Sequence, residues 1–474
     1  MPRELRANPS CRLNSGRSEN VPSHPGTGNA DVPLVRQWCQ VTLKLSLLVE
    51  LAVCVFPSMA ALATNDPVLA ARWLFLLLLL LAGVHLVLGA PQSALTLVVA
   101  ALPAEMLLRN MFFFTAVVVL LAIGICGLIV RFPRALNALD VTAFLWLFTL
   151  SVAYWFATYV LTGHYFANLR VLELVFSAAA VSLLAQHREY LATALSGILL
   201  TALAMGLALW NAGDRLGMGT LNGGELGNPI AFGIPLALLL ILTTADGGRW
   251  LLLERRIRTR ILLAIPVGIL LLLSTSRASW LVGATGMLMI LLCNRYDRRV
   301  AAASLALLGI ATIIVLQTRR GASLTTWSER TFSSDRTIAQ RTSGRSDQWS
   351  VFPAVLKDTP LWGFGPGSGP EIYARYSAHQ SDVTLESQGG LQWHSLYQHI
   401  AVETGLIGTT AVVLLLVHMF RSNYGCWRRT GHIMPLLGTT GFMLIAITVS
   451  GLDAASGLFL GFGLLPWRPR TDGA

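Results

Sequence analysis

Arg215, Arg277, Arg345 and His394 are the residues of this chain whose types suit chemistry on an anionic group. Arginine presents a planar fork that takes two phosphate oxygens at once, and it stays charged at any working pH. Histidine is the commonest general base, with an unperturbed pKa of about 6.5. Each of the four lies in a distinctive stretch. Arg215 lies in Asp214-Arg215-Leu216-Gly217-Met218-Gly219, and Arg277 in Ser274-Thr275-Ser276-Arg277-Ala278-Ser279-Trp280. Arg345 follows Ser343-Gly344 and precedes Ser346-Asp347-Gln348-Trp349, and His394 sits in Trp393-His394-Ser395-Leu396-Tyr397. Together they suit holding a negatively charged group and moving a proton beside it.

Each has an ordinary structural reading as well. Arg277 stands between two apolar runs, where an arginine is costly and is usually paired or functional; otherwise it snorkels to lipid headgroups. Arg215 precedes Gly227-Asn228-Pro229, in a loop whose glycines let backbone N–H groups approach a ligand or simply make a surface turn. Arg345 follows a candidate N-cap, Ser343, and leads Trp349, Phe352 and Leu356 at helical spacing. This predicts a short amphipathic helix on the outer surface, with Arg345 in its first turn and Pro353 as a kink; the alternative for Arg345 is a solvated charge. Gly363, Gly365, Gly367 and Gly369 alternate, but no strand precedes them and no Gly-Lys-Ser/Thr follows, so neither a Rossmann nor a Walker loop is present. A turn back toward the membrane is expected over a phosphate-cradling nest. His394 opens an apolar run, with Tyr397 one turn on, and a cap or interfacial residue is its bland alternative. His399 and His418 read as packing residues. Glu173 and Asp453 lie within apolar spans as pairing or relay groups, and Arg170 one turn before Glu173 favours pairing.

The elements that must position these residues are membrane helices. The 474 residues are 54% hydrophobic and 12% charged, against about 25% charged in soluble domains, and the mean hydropathy is +0.61. Apolar runs near membrane-crossing length recur at about 41–62, 71–89, 92–108, 110–130, 139–161, 169–187, 190–210, 229–245, 260–275, 280–293, 300–317, 395–419 and 433–451, with a short one at 454–466. The fold class is therefore all-α, a polytopic transmembrane helical bundle of roughly 12–14 spans. A transmembrane barrel would alternate over about 10 residues per strand. No internal repeat is evident, which argues against repeat-built transporter folds. The six cysteines, Cys11, Cys39, Cys54, Cys126, Cys293 and Cys426, are scattered without a CxxC pair, so neither a disulfide framework nor a thiolate metal site is expected. No acidic cluster has hard-cation spacing, and no cofactor is expected.

The net charge of +11, from 35 Lys+Arg and 24 Asp+Glu, sets topology in such a chain rather than binding nucleic acid. Arg249, Arg255, Arg256, Arg258 and Arg260 mark the 246–260 loop as inside. So do Arg295, Arg298 and Arg299 at 294–299, Arg421, Arg428 and Arg429 at 420–432, and Arg131 and Arg134. The long polar segment, the 211–227 loop and the 274–279 turn then fall outside, and with them all four candidate residues. The divisions read as 1–37 a disordered cytoplasmic tail, 38–317 an N-terminal transmembrane bundle, 318–393 an outer loop domain bearing short helices, 394–466 C-terminal transmembrane helices, and 467–474 a cytoplasmic tail. The 1–37 segment is not a cleavable signal peptide, because the apolar core arrives late and carries Lys44 and Glu50.

Ser-x-Ser-Arg-x-x-Trp at 274–280, Gly-Arg-x-x-x-Trp at 344–349, Gly-x-Gly at 363–365, and His-Ser-x-Tyr with Glu-x-Gly-Leu-x-Gly at 394–408 together resemble the O-antigen ligase/polymerase family. These bacterial envelope enzymes use polyprenyl-diphosphate-linked glycans. The resemblance spans about 205–420. It implies that Arg215, Arg277 and Arg345 bind the lipid diphosphate, that His394 acts on the acceptor hydroxyl with Trp393, Ser395 and Tyr397 nearby, and that no metal takes part. Ser395 stands where many members carry asparagine, and Pro353 lies within the Arg345 helix. The partners implied are the glycan donor, an acceptor (lipid A–core or a growing glycan), and membrane lipids of the bacterial inner membrane, with the site facing the periplasm. Three functions compete: a ligase, a polymerase of O-antigen or exopolysaccharide, and a transporter of lipid-linked sugars. A transporter would place its charged groups at the bilayer midplane, whereas the candidates here lie at the outer boundary.

Overall fold

In a computed structural model of the chain, residues 67–108, 111–133, 136, 139–162, 165–212, 229–248, 250–251, 257–318, 345–377, 393–448 and 454–465 are described. Fifteen α-helices and no strand occur among them. In chain order they are α1 (Pro67–Val87), α2 (Pro91–Leu108), α3 (Met111–Arg131), α4 (Val141–Ala157), α5 (Tyr165–Leu184), α6 (Arg188–Ala212), α7 (Pro229–Thr244) and α8 (Ile257–Leu273). They continue with α9 (Arg277–Cys293), α10 (Arg298–Leu316), α11 (Arg345–Asp358), α12 (Gly369–Ser377), α13 (Leu396–Thr430), α14 (Met434–Thr448) and α15 (Ala454–Gly463). The all-α, polytopic reading holds. Each expected span from 71–89 onward corresponds to one of these helices. The 41–62 span, the 1–37 tail, Arg215 and Asp453 lie outside the described residues.

Five described stretches are long and apolar enough to cross a membrane: Phe114–Arg131, Val141–Leu161, Asn168–Leu203, Arg298–Leu316 and Leu396–Thr430. Shorter apolar helices fill the space between them. The α2 side chains Leu95, Leu97, Val98, Val99, Ala101 and Leu102 are all fully buried. Ten-residue α15 is enclosed on every face from Ser456 to Leu465. Glycines let it approach its neighbours. A Cβ on Gly461 would stand 2.6 Å from Val181 of α5, and one on Gly438 of α14 would stand 2.7 Å from Phe462. Lipid supplies no hydrophobic drive between helices, so close packing of this kind holds a membrane bundle together.

Two expectations about boundaries are corrected. The 420–432 stretch, read as a loop, is helix as far as Thr430, and α13 is 35 residues long. Its arginines are compatible with a helix running on past the bilayer, and Gly431, at φ 75°, ends it in the left-handed conformation. Arg260, read as a loop charge that sets topology, is 3% exposed. Its guanidinium bonds Asp297 at 2.6 Å and donates to the end carbonyls of α7, reaching the Thr243 carbonyl at 3.0 Å and also that of Thr244. Asn294 Nδ2 completes the group on Asp297 Oδ2 at 2.9 Å. This clamp ties the C-terminus of α7 and the start of α8 to the α9–α10 turn. The Trp427 indole donates to the Cys293 carbonyl at 3.3 Å, and the Ile433 N–H to Asp246 at 3.4 Å. Thr243, Asp246, Arg260, the 293–298 turn and residues 427–433 therefore share one end of the bundle.

The described residues of the polar segment, 345–377 and Trp393, build a small core with Val402 at the other end. Val351 and Val355 of α11, Ile372 and Tyr373 of α12, Trp393 and Val402 form a second apolar cluster. The fully buried Trp393 ring packs edge-on against Phe352 and Tyr373, with centroids 5.8 and 5.3 Å away.

Candidate functional site

Arg277 is the first residue of α9, and the motif around it is a turn built for that purpose. Ser274 closes α8 by donating to the Leu271 carbonyl at 2.6 Å, and Thr275 takes a left-handed φ of 52°. Ser276 caps α9 by accepting the Ser279 N–H at 3.3 Å, and the Trp280 indole reaches back to the Leu271 carbonyl at 2.7 Å. Serines and tryptophan thus fix the turn, and Arg277 is left at its mouth, partly exposed.

Arg345 is likewise the first residue of its helix, α11. A cation at a helix N-terminus opposes the helix dipole, so neither arginine helps its own helix. The two guanidiniums are close enough that the charge on Arg277, together with burial as the larger cause, makes Arg345 easier to deprotonate than usual; as an arginine it remains charged. Its Nε is buried and finds no acceptor among the described residues. With two arginines within electrostatic reach of each other, each opening a helix, the orphaned donor suits an anionic oxygen.

His394 completes the group. Burial first, and the positive charge of Arg345 second, pull its pKa below the ordinary histidine value. A neutral imidazole, ready to accept a proton, is therefore favoured near neutral pH. Its backbone N–H donates to Gln348 Oε1 at 2.9 Å. Gln348 is one turn on from Arg345 and 1% exposed, so α11 fixes the relative placement of Arg345 and His394. Sequence reading missed this residue. The signal available was a polar side chain in the 348, 351, 355 register, which is the buried face of α11. The stripe read from the sequence was one residue off: Trp349 and Leu356 are 46% and 51% exposed. The helix runs unbroken through Pro353.

Three neighbours of His394 hold the backbone. Trp393 belongs to the small core described above. The buried Ser395 hydroxyl donates to the Ala446 carbonyl at 3.2 Å, and the Tyr397 hydroxyl to the Met443 carbonyl at 3.4 Å, both on α14. Arg277, Arg345 and His394 are thus brought together, and Arg215 lies outside the described residues.

The glycine turn is not a phosphate cradle. The Phe364 N–H donates to the Val402 carbonyl at 2.8 Å, and Gly365 N–H to the Glu403 carbonyl at 3.1 Å. Gly367 N–H donates to Glu403 Oε1 at 2.7 Å. Gly363 and Ser368 bond Pro360 and Gly365, so the donors a nest would offer are already used. The turn instead locks against a break in α13 at Gly405, whose φ is 63° and ψ −148°. A Cβ on Gly363, at φ 81°, would stand 2.5 Å from Glu403 backbone atoms, and one on Gly405 would collide with the Gly363 nitrogen and the Leu361 carbonyl. Gly-x-Gly and Glu-x-Gly are therefore two halves of one backbone contact.

His399 and His418 are not simple packing residues. His399 Nε2 stands 3.1 Å from Glu403 Oε2, and His418 Nε2 stands 2.8 Å from Asp140 Oδ2, the N-cap of α4. Among the described residues, no three His, Cys, Asp or Glu side chains are grouped to hold a metal ion.

Residues 261–413 match the family model described as O-Antigen ligase. That stretch runs from α8 to the middle of α13 and contains Arg277, Arg345 and His394. No curated protein matches the chain.

Proposed function

We propose, from the match of residues 261–413 to the O-antigen ligase family model, that this chain is a metal-independent membrane glycosyltransferase of that kind. It moves a glycan from polyprenyl diphosphate to an acceptor hydroxyl, with lipid A–core as the favoured acceptor. The observation that carries this reading is the buried Nε of Arg345, without an acceptor among the described residues and within electrostatic reach of Arg277 and of His394, whose pKa is lowered. The protein sits in the bacterial inner membrane with this end facing the periplasm, because the Arg260 and Asp246 end carries the loops that the positive-inside rule assigns to the cytoplasm.

The donor's diphosphate lies against Arg277 and Arg345, with Arg215 as a third ligand. The acceptor lies beside His394, in the vicinity of Tyr397, with Trp393 and Ser395 behind. His394 takes the proton of the acceptor hydroxyl. The freed oxygen lone pair forms a bond to the anomeric carbon, the bond from that carbon to the diphosphate oxygen breaks, and polyprenyl diphosphate leaves with the electron pair. The arginines stabilise the charge that grows on the leaving oxygen, a role that is usually the largest single term in catalysis. One displacement inverts the anomeric centre.

The test uses purified protein in lipid with a polyprenyl-diphosphate oligosaccharide, with and without lipid A–core. Glycan on lipid A–core only when that acceptor is present supports the ligase. Longer polyprenyl-linked chains in either tube make the protein a polymerase, of O-antigen or exopolysaccharide. No new glycosidic bond with any donor and acceptor points to a transporter.

A further inference from the structure

Glu403 lies ahead of the Gly405 break in α13, and its side chain is 1% exposed. One oxygen accepts the Gly367 N–H at 2.7 Å, and the other, Oε2, stands 3.1 Å from His399 Nε2 without accepting a hydrogen bond among the described residues. Its own carbonyl accepts the Gly365 N–H at 3.1 Å. From α4, the fully buried Tyr154 comes within electrostatic reach of the carboxyl group. A carboxyl group is costly to bury unless its oxygens have partners. The mechanism proposed above does not use this one.

Two short routes lead from Glu403 to His394. His399 N–H donates to the Ser395 carbonyl at 2.9 Å, and Ser395 directly follows His394. On the other side, the glycine turn runs into Gly369. A Cβ there would stand 3.1 Å from the Trp393 ring and 4.0 Å from His399 Nδ1. The turn, His399 and Trp393 therefore converge, and Trp393 directly precedes His394.

We propose that Glu403 is a positioning residue for the transfer reaction: one buried carboxyl group holds the 363–367 turn and His399 together, and so fixes the backbone on both sides of His394. This rests on the transfer reading above. It assigns Glu403 no contact with donor or acceptor.

Two measurements on the full chain in lipid test it. In Glu403→Leu, backbone hydrogen exchange at Gly365, Gly367 and His394 speeds up by about tenfold or more, because local opening sets exchange. In Glu403→Gln, which keeps an acceptor for the Gly367 N–H, exchange stays within about threefold of wild type. With a polyprenyl-diphosphate oligosaccharide as donor, Glu403→Leu lowers kcat by about tenfold or more while the donor KM changes less than about twofold, and Glu403→Gln restores most of the loss. Should Glu403→Leu fail to fold, His399→Leu carries the same test, since it removes one of the two partners. Unchanged exchange at these amides, or wild-type kcat in the folded Leu variant, overturns the proposal. An inactive wild-type protein would instead contradict the transfer reading, and the exchange result would still decide whether Glu403 holds His394 in place.

Discussion

At the scale of single residues, the account depends on two guanidiniums placed where their helices gain nothing from them. Arg345 opens α11 against the dipole, with a buried Nε that lacks an acceptor among the described residues. On the proposed reading, its value lies in the diphosphate it binds. Arg345→Ala is expected to lower kcat by about 10²–10³-fold, the usual cost of removing one charge-stabilising donor. Arg345→Lys restores only part, because an ammonium lacks the fork that grips two oxygens. Steady-state kinetics with a lipid-linked oligosaccharide checks both. His394 gives a pH signature. Its pKa is lowered by burial and by Arg345, so the neutral, proton-accepting form persists below the ordinary value of about 6.5. The acid limb of kcat/KM, which reports the free enzyme, should therefore fall below that value, with activity lost as the pH drops through it. An acid limb above the ordinary value would mean that His394 is not the base.

At the scale of elements, the site is made by contacts between segments far apart in the sequence, and this decides what the sequence could reveal. The helices were legible because apolar runs near 20 residues have one interpretation. That Arg277 stands at the end of α9 away from the basic turn was legible because a membrane arginine apart from the basic loops needs a reason. The glycine motifs were legible as a turn, but their partner was not. Nothing in 363–367 announces that Gly365 N–H will meet the Glu403 carbonyl or that α13 breaks at Gly405. The face of α11 was misplaced by one residue because Trp349 looked like core, whereas the smaller Val351 and Val355 fill the space beside Trp393. Two predictions follow from these contacts. Gly363→Ala places a side chain at φ 81° against the Glu403 backbone. It should cost about 1–3 kcal/mol, seen as a lowered Tm together with lost transfer. Trp393→Ala empties the middle of the small outer core and should cost about 3–5 kcal/mol, measured by thermal unfolding in lipid.

At the scale of the whole molecule, the bundle has a clamped end and a reactive end. The clamp is Arg260 with Asp297, Asn294 and the α7 carbonyls. Arg260→Met leaves the Asp297 carboxylate buried without its cation, and should cost about 3–5 kcal/mol. Replacing both, as Arg260→Met with Asp297→Leu, should recover much of that, and a double-mutant cycle reads the coupling. On the proposed reading, the end that carries α11 and His394 is the reactive one and faces the periplasm. In a cysteine-free background, Lys357→Cys on α11 should react with an impermeant thiol reagent in intact cells. Tyr296→Cys, 76% exposed beside the clamp, should react only after permeabilisation. The reverse pattern would put the site on the wrong side of the membrane for a periplasmic acceptor.

In the proposed reaction a glycosidic bond forms beside His394 and the two arginines. The measurement that tests it most directly is the transfer rate of purified His394→Ala in lipid, with saturating polyprenyl-diphosphate oligosaccharide and lipid A–core, set beside wild type at equal protein. The account predicts loss of transfer by about 10²-fold or more, with unchanged expression and helical content. Transfer by His394→Ala at the wild-type rate would contradict it.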